Sequence, residues 1–269
     1  MPIGRALLYI ASAGAIALCA GSLIAGPIPL AWAAAAIAAY IGVILCGVFV
    51  LRLGMFVDVL WEGPPDARGV ALTFDDGPHP EHTPRVLDLL DRAGVKATFF
   101  VIGRKAEAHP ELVREIAARG HALGVHGHAH DRLFSLRSTR VIEADLQKAV
   151  ETLERITGER PVLVRPPVGH TSPPMARVIR ALDLEVIGWS ARGLDGLAGA
   201  KPERVAARVI PRLREGAIVL LHDAAERDDH APAGVEALPR ILEAMRAKDL
   251  AGVRVDAWFE EDEPRDAAA

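Results

Sequence analysis

The sequence has only two cysteines and no excess of basic residues. Cys19 and Cys46 both lie in a long apolar segment, so neither a disulfide framework nor a thiolate metal site is expected. Lys and Arg number 31 against 35 Asp and Glu, which gives a net charge of −4. A nucleic-acid partner would require a basic face, so no partner of this class is expected.

Charge is almost absent from the first 56 residues, where Arg5 and Arg52 are the only charged side chains. The other 213 residues hold the remaining 29 basic residues and all 35 acidic residues, a net charge of −6. The chain is therefore predicted to have two parts. Residues 1–56 form a membrane anchor, and residues 57–269 form a mildly acidic globular domain.

Two uncharged apolar runs, residues 7–25 and 28–51, are separated by the turn-prone residues 26–29. A helix needs about 20 residues to cross a membrane, and each run is close to that length or longer. We therefore predict a two-helix hairpin in the inner membrane. Arg5 and Arg52 flank the hairpin at the same end, and positive charge favours the cytoplasmic side of the membrane. Two arginines do not decide on which side of the membrane the globular domain lies. A cleaved signal peptide is the alternative for the first run.

From residue 70 onward, short apolar runs alternate with helical patterns. The runs show little polar alternation, which is typical of parallel strands buried on both faces. Prolines at the starts and glycines at the ends mark the helices between them. Seven strands favour a closed or nearly closed α/β barrel, with an open doubly wound sheet as the alternative. The predicted strands are Val70–Phe74, Ala97–Ile102, Ala122–His126, Val162–Arg165, Glu185–Ser190, Ala217–Leu221 and Val253–Trp258.

Chemically capable side chains follow the predicted strands. Asp75 and Asp76 are adjacent and repel each other unless something binds them; a metal on one would leave the other free as a base. His126 and His130 have the spacing that puts two rings on one side of a helical turn, whereas His128 is expected to point elsewhere. Two imidazoles and one carboxylate make a divalent-metal site with open positions; Zn²⁺ is expected, and Co²⁺, Mn²⁺ or Ni²⁺ would also fit.

Two later strand ends add further groups. Arg165 can orient a carboxylate, and the rigid loop of residues 166–169 that follows can aim a backbone N–H at developing negative charge. His222 ends another apolar run at the mouth of the predicted barrel. A histidine there can donate a proton to a leaving group, because it titrates near neutral pH.

These motifs, in this order, resemble the polysaccharide deacetylase family, the NodB-homology domain of carbohydrate esterase family 4. The resemblance covers about residues 68–260 and implies a distorted (β/α)7 barrel. It also implies a metal-dependent hydrolase that removes an N-acyl group, expected to be acetyl, from amino sugars of a polysaccharide or cell-envelope glycan. The alternative is a deformylase or deacetylase of an undecaprenyl-linked amino sugar at the cytoplasmic membrane face.

The resemblance also implies a role for each motif residue. Asp75 would be the general base and His222 the general acid. Arg165 would orient the base, Asp195 would tune the acid, and the Val168 N–H would serve the oxyanion. The implied metal ligands are Asp76, His126 and His130, and the implied substrate-binding residues are Pro166, Pro167, Val168, Gly169, Trp189 and Leu220.

Three positions depart from the family pattern. Gly127 stands where Ser or Thr is usual, so one hydrogen bond that steadies the metal loop is missing. Val168 replaces an aromatic residue, and Gly196 stands where Trp is frequent. Sugar rings stack on such aromatic side chains, so the motifs do not identify the glycan that is the substrate. A glycan-binding module without activity is a further alternative, and the presence of every implied catalytic side chain counts against it.

Overall fold

The computed structural model describes residues 1–259, and the predicted end of the globular domain, residues 260–269, lies outside the described residues. The chain begins with two long helices, α1 (Ile3–Ala25) and α2 (Leu30–Phe49). Their most apolar windows have mean hydropathies of 2.0 and 2.2, and 0% and 11% of those windows is buried. The predicted pair of apolar helices that could cross a membrane is therefore confirmed.

The end of α2 packs against the globular domain. The Thr171 N–H donates to the Val48 carbonyl at 3.1 Å. The ring of Phe49 meets that of His170 edge-on, with the centroids 4.8 Å apart. Both contacts lie on the loop that directly follows residues 166–169, so α2 ends close to a predicted substrate-binding segment.

The described part of the globular domain, residues 57–259, contains one parallel sheet of seven strands in the order β5-β4-β3-β2-β1-β7-β6. Among the described residues no ladder joins the edge strands β5 and β6, so the sheet curls into a barrel that is not closed. The predicted distorted (β/α)7 fold is confirmed. The strands are β1 (Ala71–Asp75), β2 (Ala97–Val101), β3 (Ala122–Val125), β4 (Leu163–Val164), β5 (Glu185–Val186), β6 (Ala191–Arg192) and β7 (Ile218–His222).

One predicted strand, Val253–Trp258, is wrong. Gly252 makes only an isolated bridge to Val70, and a 3₁₀ turn follows at Asp256–Trp258. This segment covers the amino end of the barrel and buries its apolar side chains there, which explains their alternation in sequence. The seventh strand is instead β6, which begins one residue after the predicted fifth strand.

Within residues 1–259, seven helices surround the sheet. Proline stands in the first turn of α5, α7 and α8, where a missing N–H costs nothing. Gly94 and Gly158 end α3 and α6 in the left-handed conformation. The short α4 was not predicted. The helices are α3 (His82–Ala93), α4 (Gly103–Ala108), α5 (Pro110–Ala118), α6 (Thr139–Thr157), α7 (Pro173–Ala181), α8 (Pro202–Val209) and α9 (Ala233–Ala247).

The alternation of side chains along the strands positions the site. On β1, Ala71 belongs to a small apolar cluster inside the barrel, whereas Leu72 belongs to the larger cluster under the helices. Alternation therefore carries Asp75 onto the inner face. On β7, Ile218 belongs to the inner cluster, so His222 also faces inward. Both chemical groups thus lie at the carboxyl mouth of the barrel.

Candidate active site

Asp75 is held by a buried guanidinium. Arg165 is fully buried, and its Nη1 donates to Asp75 Oδ1 at 2.7 Å and to Thr73 Oγ1 at 2.7 Å. Its other N–H groups donate to two backbone carbonyls at 3.1 and 2.8 Å. The guanidinium is therefore fixed, and it orients Asp75. Asp75 Oδ2 lies 3.9 Å from His126 Nε2.

Asp76 turns toward the same mouth although strand alternation would direct it away. Its φ of 70° is in the left-handed region, and Oδ1 lies 3.5 Å from His126 Nε2 and 3.2 Å from His130 Nε2. Ligand atoms of these three residues all lie within 4.8 Å of one another. Asp76 Oδ1 is buried without a hydrogen-bond partner among the described residues, which is costly unless a cation binds there. The residues present thus fit a divalent cation.

The protonation states of the two histidines suit a metal site. Burial lowers the pKa of His126 to about 3, and burial with the nearby His126 lowers the pKa of His130 to about 3. Both imidazoles are therefore neutral near pH 7, which is the form that binds metals. Burial raises the pKa of Asp76 to about 7, although the nearby His222 opposes this increase.

The outer ring nitrogens of both histidines also have neighbours. His126 Nδ1 lies 2.7 Å from the Arg165 carbonyl, so this nitrogen carries the proton and Nε2 is left free. His130 Nδ1 is buried 3.7 Å from Glu226 Oε1. Arg132 Nε in turn donates a hydrogen bond to Glu226 Oε2 at 2.6 Å. Glu226 was not predicted, because no motif marks this position in the sequence.

The loop of residues 126–130 corrects one prediction. It forms no helical turn, since Gly127 and His130 have φ values of 73° and 54°. The two metal-site rings nevertheless meet, with their centroids 4.8 Å apart, because these left-handed residues fold the loop back on itself. His128 points elsewhere, with Nε2 3.6 Å from a carboxylate oxygen of Glu107.

His222 is paired with a buried acid. Its Nδ1 lies 3.1 Å from Asp195 Oδ1, and its backbone N–H donates to Asp195 Oδ2 at 2.8 Å. Burial lowers the pKa of His222, but the charges of Asp195, Asp76 and Asp75 outweigh it and raise the pKa to about 10. The ring is therefore protonated near pH 7. Its Nε2 lies 4.0 Å from Asp76 Oδ2, so this acid stands beside the metal-site residues.

These groups open into a cavity of about 500 Å³. Gly169 has a φ of 72°, and a Cβ there would lie 2.5 Å from the Trp189 ring, so glycine permits that ring to approach. Val168 also has a left-handed φ, 53°, which is unfavourable for a β-branched residue. Pro167 is buried behind the cavity wall. Of the predicted substrate-binding residues, those that line the cavity are Pro166, Val168, Gly169, Trp189 and Leu220.

Comparisons with known proteins agree with this geometry. The family model described as polysaccharide deacetylase matches residues 62–187. A peptidoglycan-N-acetylglucosamine deacetylase of Bacillus cereus is 31% identical over 205 residues, which cover 76% of this chain and 73% of that relative. The chain belongs to the polysaccharide deacetylase family. Because its named relatives are deacetylases, it is a hydrolase that acts on carbon–nitrogen bonds other than peptide bonds.

Two further members of the polysaccharide deacetylase family are similar to this chain. A chitooligosaccharide deacetylase of Azorhizobium caulinodans is 33% identical over 191 residues, covering 68% of this chain and 90% of the relative. The solved structure of the Bc1960 peptidoglycan N-acetylglucosamine deacetylase gives a TM-score of 0.69 at 30% identity. That match covers 77% of this chain and 95% of the solved one.

In this member of the polysaccharide deacetylase family, a helix steadies the loop of residues 126–130. Asp145 of α6 accepts the backbone N–H groups of His128 at 2.7 Å and Ala129 at 2.9 Å. A Cβ on Gly127 would lie 3.1 Å from Asp145 Oδ1, so the glycine leaves room for this carboxylate. Asp145 thus supplies hydrogen bonds to a loop that lacks the family's usual Ser or Thr.

A second support, also absent from the predicted site, comes from α4. Lys105 is buried, and its ammonium donates to the Ala225 carbonyl at 2.6 Å and to Asp228 at 2.5 Å. Arg104 donates to the Glu226 carbonyl at 2.8 Å. These contacts fix the segment that carries Glu226 beside His130. Because they join residues more than 100 positions apart, no local pattern in the sequence predicts them.

Proposed function

We propose that this protein removes the N-acetyl group from an amino sugar of a cell-envelope glycan, with a divalent cation as cofactor. The observation that carries the proposal is the convergence of Asp76, His126 and His130 within 4.8 Å. They lie beside an oriented carboxylate, Asp75, and a protonated imidazole, His222. Relatives named as peptidoglycan and chitooligosaccharide deacetylases support this class of substrate.

The proposed cofactor is Zn²⁺, held by Asp76, His126 and His130, because a set of two nitrogens and one oxygen suits that ion. Such a cation would polarise the acyl carbonyl and lower the pKa of an attacking water. Asp75 then accepts the proton of that water. Arg165 occupies Asp75 Oδ1, so Oδ2 is the oxygen available for this task.

Two groups act later in the proposed reaction. The backbone N–H of Val168, on the loop that lines the cavity, donates to the developing oxyanion. His222 gives its proton to the departing nitrogen, which leaves as the free amine while acetate is released. Asp195 stabilises the charged imidazole until that transfer. Pro166, Gly169, Trp189 and Leu220 form the walls against which the sugar binds.

We further propose that residues 1–56 anchor a catalytic domain of residues 57–269 to the membrane. The two apolar helices support this proposal by their length and hydropathy. A second candidate substrate is an undecaprenyl-linked amino sugar, deacetylated or deformylated at the cytoplasmic face. It is favoured by the contact of Phe49, the last residue of α2, with His170 beside the substrate-binding loop.

Product analysis with a panel of N-acylated sugars tests the proposal. Full-length protein in detergent is incubated with N-acetylchitooligosaccharides, peptidoglycan, and N-acetyl and N-formyl amino sugars, with and without chelator. We expect acetate from an N-acetylated glycan, its loss with chelator, and its return with Zn²⁺. Formate from the N-formyl sugar alone would favour the second candidate. The proposal would be contradicted if no sugar released acetate, or if the chelator did not reduce acetate release.

A further inference from the structure

A second cavity, of about 570 Å³, adjoins the active-site cavity. The two share Trp189, Arg192 and Leu194 as a common wall. The second cavity lies between the end of α2 and the edge of the barrel at β6, where α8 follows. Its lining contains no acidic residue in the described part of the chain, and it contains four arginines: Arg52, Arg192, Arg208 and Arg212.

These four arginines have no counter-charge within residues 1–259. None is within ion-pair distance of a carboxylate there, although Arg214, two residues beyond Arg212, pairs with Glu62 at 2.7 Å. The Arg52 guanidinium lies over the Trp61 ring at 3.6 Å. Among the described residues, Arg208 and Arg212 donate to backbone carbonyls alone. Four like charges around one cavity repel one another, in a domain that is otherwise acidic.

The other part of the lining is apolar. Phe49 and Val50, at the end of α2, are 55% and 45% exposed, and both line the cavity. With α1 and α2 in a bilayer, this end of α2 lies at the level of the lipid headgroups. The cavity therefore combines exposed apolar groups at the membrane with guanidinium groups beside the active site.

We propose that this cavity binds the phosphate group of a membrane lipid. Guanidinium groups recognise phosphate oxygens through charge-assisted, often bidentate hydrogen bonds. Phe49 and Val50 would contact the first carbons of the lipid chain. A sugar joined to that phosphate would extend past Trp189 toward Asp75 and His222. The inference rests on the proposed function, because it requires α2 in the membrane and acyl hydrolysis in the adjoining cavity.

Binding measurements on the full-length protein test this site. Wild-type protein in phosphatidylcholine nanodiscs is titrated calorimetrically with farnesyl phosphate and, separately, with inorganic phosphate. The variant Arg208→Gln/Arg212→Gln removes two cavity charges from exposed positions outside the active-site lining. The matched control Arg204→Gln/Arg240→Gln removes two exposed charges that lie outside the cavity.

We expect the cavity variant to bind farnesyl phosphate at least about tenfold more weakly than wild type, and the control to bind like wild type. Equal binding by all three proteins would overturn the proposal, since the phosphate would then be bound elsewhere, for instance at the metal site. Inorganic phosphate is expected to bind more weakly than farnesyl phosphate. Equal affinities for farnesyl phosphate and inorganic phosphate would contradict the proposal that the phosphate belongs to a lipid.

Acetate release from N-acetylchitooligosaccharides, measured on the same nanodiscs, separates this proposal from the proposed function. These soluble sugars carry no phosphate, so wild type, variant and control should release acetate at equal rates. Loss of farnesyl phosphate binding with unchanged acetate release supports the lipid site. Absence of acetate in all three preparations contradicts the proposed function, whatever the binding result.

Discussion

At the scale of single residues, Asp75 and Asp76 are neighbouring carboxylates in different surroundings, and this difference supports the different roles that we propose for them. Asp75 continues the inner face of β1 and is hydrogen-bonded by Arg165. Asp76 leaves the strand through a left-handed φ and presents a buried oxygen to two imidazoles. The sequence could predict the pair, since adjacent acids at a strand end are unusual. It could not predict the torsion that brings both to one mouth.

The substitution Asp75→Asn tests the division of labour between the two acids. Asparagine keeps the shape and can still accept from Arg165, but it cannot take a proton. We expect acetate release to fall by about 10²–10⁴-fold, while calorimetry shows unchanged Zn²⁺ affinity. Asp66→Asn, at an exposed position, is the control. An Asp75→Asn protein with a near wild-type rate would show that another group is the base.

The pairing of His222 with Asp195 predicts a shift in the pH profile. The basic limb of kcat/KM reports loss of the proton from the general acid. The charge of Asp195 raises the pKa of His222, so Asp195→Asn should lower that pKa and move the basic limb to lower pH. We expect a shift of about 1–3 pH units with little change in the acidic limb. If Asp195 had a purely structural role, Asp195→Asn would reduce the rate and leave the basic limb at the same pH.

At the scale of elements, the carboxyl ends of the predicted parallel strands were enough to place Asp75 and His222 at one end of the barrel. The strand prediction failed at Val253–Trp258, because apolar residues report burial and not ladder hydrogen bonds. β6 was missed for the opposite reason, since its two residues are too few for any period to be recognised. The 126–130 loop was wrongly given a helical turn, because spacing alone does not report backbone torsions.

Helix α6 provides a test of how the metal loop is held. Asp145→Ala removes the acceptor of two loop N–H groups and leaves a packed helix otherwise intact. We expect the free energy of unfolding to fall by about 1–3 kcal/mol and Zn²⁺ affinity to fall roughly tenfold. Glu143→Ala, two residues earlier in the same helix and exposed, is the control. Wild-type Zn²⁺ affinity in Asp145→Ala would mean that the loop is held by the metal ligands alone.

At the scale of the whole molecule, the division of charge predicted an apolar part and a globular part. It could not predict that the two parts touch at Thr171 and His170, because a contact between a helix end and a distant loop leaves no periodic signal. The contact holds the end of α2 next to the second cavity, which shares Trp189 with the candidate active site. The apolar helices and the candidate active site are therefore adjacent in the fold.

The flanking arginines give an expected topology for this arrangement. Arg5 and Arg52 lie at the same end of the helical hairpin, and positive charge favours the cytoplasmic side. We expect a green fluorescent protein fused at the C-terminus to fluoresce, and an alkaline phosphatase fusion to be inactive. Such a result would favour the lipid-linked substrate over a polymer outside the cell. Active phosphatase would place the domain on the opposite side and contradict this topology.

We propose above all that Asp76, His126 and His130 bind one catalytic cation beside Asp75 and His222. The most direct test is a titration of metal-free, full-length protein with Zn²⁺ while acetate release from an N-acetylchitooligosaccharide is followed. We predict no release before Zn²⁺ is added and a linear rise that ends at one equivalent per chain. Full activity in the metal-free protein, or an end point unrelated to one ion per chain, would contradict the account.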